Sequence, residues 1–65
     1  MSRADFHQRN TERAIVEAQR LLDQQALLGP RWLAWVATEL YRLSPPEYTA
    51  MVRRELERLH QAQQS

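Results

Sequence analysis

Apolar and small residues recur early in the chain at Ala4, His7, Thr11, Ala14, Ala18, Leu21, Gln25 and Leu28. Steps of three and four residues keep these positions on one face of a helix, and Ile15 and Leu22 widen that face on one flank. Arg9, Glu12, Arg13, Glu17, Arg20 and Asp23 take the opposite side, at spacings that suit Asp5–Arg9, Arg13–Glu17 and Arg20–Asp23 pairs. The pattern predicts a first helix over about 3–28. Gly29 suits the position just past its end, where a positive φ is cheap for glycine, and Pro30 suits the first turn of a following helix.

The second predicted helix, 30–43, has a different character. Trp32, Leu33, Val36, Leu40 and Leu43 project as one stripe, which Ala34, Ala37 and Tyr41 extend on one side and Trp35 on the other. Arg31, Thr38, Glu39 and Arg42 leave only a narrow polar strip. A helix apolar over more than half its circumference expects cover on more than one side. In the third helix, 45–62, Tyr48, Val52, Leu56 and Leu59 share a face with Met51 beside them. Its start reads as a capping box, with Ser44 as N-cap, Pro45 at the first helical position and Glu47 reaching back to the Ser44 backbone. The last residues, from His60 on, read as a fraying end.

No run alternates with the period of a strand, so the fold class is all-α, with three helices in a single small domain, 1–65. Only Gly29 and Ser44 separate the helices, and joints this short suggest sharp corners rather than relaxed antiparallel hairpins. The helices would be about 39, 21 and 33 Å long, the shortest in the middle. Ala14 and Ala18 leave room on the first helix for a bulky ring, and the expected occupants are Trp32 and Trp35, from the same chain or a second copy. A short apolar helix between two longer ones cannot be covered on all sides by its own chain, so completion by dimerisation or by an obligate partner is expected.

Composition narrows the remaining choices. With no cysteine, no disulfide can reinforce so small a core, and a cytoplasmic, reducing compartment is the natural reading. The apolar run WLAWVA is far too short to cross a membrane, and the N-terminal MSRADFHQ lacks the apolar centre of a signal peptide. Nine basic residues, all arginine, against eight acids give a net charge of +1, so no global field draws the chain to nucleic acid or anionic lipid. The arginine-only usage fits a bacterial or phage protein. His7 and His60 are too distant in sequence to suggest a metal site, and no cofactor is expected. No phosphate-binding loop, acid–base carboxylate pair or activated nucleophile is present, so the chain reads as non-enzymatic.

Candidate interface residues cluster on the second helix: Trp35, Tyr41, Arg31, Arg42, Ala34 and Ala37. Trp35 reads equally as a binding hot spot or as a core tryptophan shielded by arginine stems, and Tyr41 likewise. Glu55 reads as a rim residue that reaches solvent, with a buried register-setting role as the alternative. His7 and Gln25 hold stripe positions that could set oligomer register or simply be exposed at the helix ends. His60, near the last helix C-terminus, is explained by the helix dipole. Arg53, Arg54 and Arg58, interleaved with Glu55 and Glu57, read as a solvated face.

The stretch ELYRLSPPEYTAMVRRELERL also resembles the second half of a helix-turn-helix. That resemblance implies a recognition helix over 44–60, with Thr49, Arg53, Arg54 and Arg58 toward nucleic acid. Arg42-Leu43 stands where such motifs usually carry a turn glycine, and the interleaved acids oppose phosphate binding. The first expectation is therefore a protein–protein interaction module: an adaptor, an inhibitor or anti-activator, or an assembly chaperone. It would act as a helical homodimer or with a protein partner, and a DNA-binding regulator is the alternative.

Overall fold

A computed structural model describes residues 3–64, apart from the side chains of Arg3, Ala4, Phe6 and His7. The expectations placed on Ala4 and His7 therefore lie outside the described side chains. All secondary structure among the described residues is helical: α1 (Arg3–Asp23), α2 (Gln25–Leu28), a 3-10 turn (Gly29–Arg31), α3 (Trp32–Arg42) and α4 (Pro46–Gln64).

The expected division into three separate helices is corrected to two helical runs, 3–42 and 46–64, the first bent in its middle. The bend begins earlier than the Gly-Pro pair. The Gln24 amide reaches back only three residues to the Leu21 carbonyl, at 3.3 Å. That carbonyl also accepts the indole N–H of Trp32 at 2.8 Å, in a buried hydrogen bond. A side chain inserted into the i→i−4 ladder is a recognised cause of helix kinks. Gly29 then turns the chain with φ 56° and ψ −129°, backbone angles that strain any L side chain. Pro30 follows in the first turn, as its fixed φ predicts.

The second joint also departs from expectation. Tyr48 and Thr49 both donate their amides to the Pro45 carbonyl, at 2.9 and 3.1 Å, so Pro45 takes the capping position and Pro46 opens α4. The Ser44–Glu47 capping box does not form. Pro45 precedes another proline, which pushes it out of the helical region and delays the helix by one residue. Thr49 closes the joint instead, donating its hydroxyl to the Leu43 carbonyl at 2.8 Å.

Two long-range contacts set the direction of the chain. Tyr48 Oη donates to the Arg13 carbonyl at 3.4 Å, and the Gln25 amide nitrogen lies 3.2 Å from His60 Nε2. Both pairs are 35 residues apart, so α4 runs parallel to α1. Between them α3 runs back, from Trp32 at Leu21 to Leu43 beside Arg13 and Glu17. The chain thus reverses at both joints, and the expected sharp corners are corrected. Reversal at the first is possible because it is spread over residues 24–31 rather than a single glycine.

The most extensive helix contact is that of α1 with α4. Ala14, Ala18, Leu21, Leu22, Tyr48, Met51, Val52 and Leu56 are buried, together with Trp32, Val36 and Leu40 of α3. The space beside Ala14 is met by α4 around Met51 rather than by the expected tryptophans, and Trp32 sits at Leu21, toward the bend. The Arg13 guanidinium lies 5.5 Å above the Tyr48 ring, covering its outer side. The molecule is a slab of 40 × 26 × 13 Å with a radius of gyration of 12.3 Å. A compact 65-residue domain would have about 11 Å.

Trp32→Phe keeps an aromatic ring but removes the indole N–H from the Leu21 carbonyl along with part of the buried ring volume, and should cost at least about 1–3 kcal/mol in urea unfolding. Gly29→Ala meets no atom within 4 Å, yet its backbone should cost about 1–3 kcal/mol. Equal stability of either variant with the parent contradicts this account of the bend.

Candidate protein-binding surface

Packing of α3 uses one side only. Trp32, Val36 and Leu40 point into the core, and Trp35 and Leu43 pack partly against it. The opposite side is bare. Tyr41 is 92% exposed and Leu33 72%, and Ala34, Ala37 and Thr38 are exposed between them. The expectation that Leu33 shares the buried stripe is therefore corrected. Leu33 lies on the flank of that stripe, and α1 and α4 cover only its centre.

Leu33, Ala37 and Tyr41 stand one turn apart on the same line of α3. Thr38 adds to this surface, because its hydroxyl already donates to the Ala34 carbonyl at 3.1 Å and its methyl is left to face outward. Two clefts run along the seam between α3 and α4. One, of about 400 Å³, lies between Tyr41 and Pro46, Thr49 and Ala50. The other, of about 380 Å³, is floored by Val36, Leu40 and Leu56, with Trp32 and Leu33 at its α3 edge and Glu57 and His60 on its α4 lip. Ala37, Leu40 and Arg53 border both clefts, so the two form one groove.

The six interface candidates are divided by this geometry. Ala34, Ala37 and Tyr41 lie on the bare face, which places Tyr41 outside the core. Trp35 is half-buried, and Arg31 and Arg42 are exposed. Arg42 belongs to a chain of ion pairs that ties α3 to α1. Arg20 Nε meets Glu17 at 2.7 Å and Arg20 also meets Glu39 at 3.4 Å, while Arg42 meets Glu39 at 3.7 Å. The expected Arg20–Asp23 and Arg13–Glu17 pairs are replaced. Asp23 accepts from Gln19 at 2.8 Å, and Arg13 turns to Asn10 and the Tyr48 ring. The hydrogen bond from Arg20 holds the Glu17 carboxyl below the usual range, assisted by the attraction between the charges and opposed by burial.

The residues assigned to the nucleic-acid alternative do not act as one group. Arg53 and Arg54 are exposed, Thr49 is half-buried with its hydroxyl engaged at the joint, and Arg58 pairs with Glu55 at 2.8 Å. Glu55 thus sits at the rim, half-covered and paired. Two residues had a role that spacing alone does not reveal. Gln25 and His60 meet across the bundle, and the His60 ring lies 5.6 Å from that of Trp32. The Gln25 stripe position was the one available sign.

A larger cleft of about 570 Å³ opens between α1 and the second joint, but Glu12, Arg13, Glu17 and Arg42 make its walls charged. Val16 lines that cleft beside Leu43 and Tyr48, and Leu27 is exposed away from the groove as a single side chain, which is ordinary for a protein surface. No group of three or more His, Cys, Asp or Glu among the described residues could hold a metal ion. No helix among them is long and apolar enough to cross a membrane. The chain matches no protein-family model, no curated protein and no solved structure.

Arg20→Gln should cost under about 1 kcal/mol, an effect that shrinks as salt is added. Because the folded-state pKa of Glu17 is lowered, its contribution is present at neutral pH. It should fade as the pH falls through the carboxylate range. A urea series against pH and salt checks both, and an Arg20→Gln deficit that persists in acid and in high salt contradicts the ion-pair account.

Proposed function

We propose that this chain is a small non-enzymatic protein–protein interaction module whose docking surface is the bare face of α3 with its groove along α4. The observation that carries this reading is the line Leu33–Ala37–Tyr41, apolar and exposed, continuous with a groove floored by Val36, Leu40 and Leu56. Exposed apolar surface of this continuity, rimmed by Arg53 and Glu57, is the usual mark of an interaction site. Its middle is small, at Ala37, and Ala50 stands on the facing wall, so a helix can approach closely there. Helix-in-groove recognition uses anchors at this one-turn spacing. Adaptor, inhibitor and assembly-chaperone roles all rest on such a surface, working as a homodimer or with an obligate protein partner.

The nucleic-acid reading has less support, since Thr49 is spent inside the joint and Arg58 is paired. Capture by the tagged chain from nuclease-treated lysate, with an untagged copy co-expressed, compares the readings. Ala37 is exposed, so Ala37→Arg should leave the helicity of the chain unchanged. The parent should retain a protein at near-stoichiometric amount, either its own copy or another, and Ala37→Arg should lose it. Retention unaffected by Ala37→Arg, or recovery that disappears with nuclease, contradicts the proposal.

A further inference from the structure

We infer that the occupant of this surface is a second copy of the same chain, related by a two-fold axis over Ala37, with Tyr41 of each copy seated in the other's α3/α4 cleft near Leu33. The inference rests on the docking surface proposed above and specifies what fills it.

Three observations lead to it. The first is the symmetry of the line. Leu33 and Tyr41 stand four residues either side of Ala37. When two α3 helices pack antiparallel across a two-fold axis at Ala37, Tyr41 of each copy falls opposite Leu33 of the other. A single rotation satisfies both contacts, which is the requirement for an isologous interface.

The second is knob and hole. Tyr41 is 92% exposed, so its own chain leaves the ring almost uncovered. The cleft beside Leu33 has room for it, at about 380 Å³, and is floored by Val36, Leu40 and Leu56. Glu57 and His60 on its lip give the phenol a polar neighbour, as a buried tyrosine needs. Small residues at the crossing, Ala37 and Ala50, let the helices approach, and the result is a four-helix arrangement of two α3 and two α4.

The third is area. The chain exposes 5048 Å², whereas a compact monomer of 7.7 kDa exposes about 4300 Å². The difference, about 700 Å², is spread over the thin slab, and the bare face of α3 is part of it. A net charge of only +1 puts no large repulsion between copies.

Sedimentation equilibrium of the parent, Tyr41→Ala and Ala37→Arg tests the inference, together with single-cysteine chains. The chain has no cysteine of its own. The parent should sediment as a dimer. Tyr41→Ala should weaken dimerisation about thirtyfold or more, as loss of a hot-spot residue does, with unchanged circular dichroism. Ala37→Cys, lying on the axis, should form a disulfide-linked dimer under mild oxidant, and Ala26→Cys, exposed on α2, should not. A parent that stays monomeric at millimolar concentration overturns the inference, as does a dimer that ignores Tyr41→Ala or cross-links equally at both cysteines. The docking surface itself is judged separately, by whether Ala37→Arg loses its captured protein.

Discussion

The fold hangs on one buried hydrogen bond, from the Trp32 indole to the Leu21 carbonyl. It supplies a donor to a carbonyl at the helix bend, and it draws the first residue of α3 against the last turn of α1. Everything after it follows from the direction this sets. With α3 sent back along α1, α4 must return parallel to α1, and the two long helices meet along Ala14, Met51 and Val52. The Trp32 ring also rests near His60 of α4, so one side chain of α3 meets both α1 and α4. In a chain this short, each buried group is a sizeable share of the total stability.

The same geometry explains why a face is left over. Packing α1 directly on α4 uses the best apolar stripes of both, and α3 is laid along the seam rather than enclosed between them. Its inner residues complete the core. Its outer residues, Leu33, Ala37 and Tyr41, are left uncovered by α1 and α4. A small domain with no cysteine to form a disulfide gains by closing such a face against another surface. The ion-pair chain from Glu17 through Arg20 and Glu39 to Arg42 holds α3 at its α1 edge, which leaves the opposite edge open to a partner.

Much of this was legible in the sequence. The burial of Ala14, Ala18, Leu21, Tyr48, Val52 and Leu56 follows from three- and four-residue spacing, and the positive φ of Gly29 follows from its place just past a helix end. The excess apolar surface of α3 was equally plain. Which side of that helix would stay bare was not, because a helical projection gives angles and not neighbours, and by angle alone Leu33 falls with the inward stripe. The parallel course of α4 escaped for a related reason, since the bend begins at Gln24, where no residue type marks it. At the second joint the error was local. Two consecutive prolines carry their own rule about the preceding residue, and that rule outweighed the appeal of a Ser-x-x-Glu cap.

An isotope-filtered nuclear Overhauser experiment reads directly which atoms meet on the open face. Labelled and unlabelled copies are mixed, and only contacts between different copies are recorded. Cross-peaks from the Tyr41 ring protons to the Leu33 methyls are the predicted result. A spectrum with no intermolecular peaks at Tyr41, or with peaks only to residues away from the α3/α4 groove, contradicts the account.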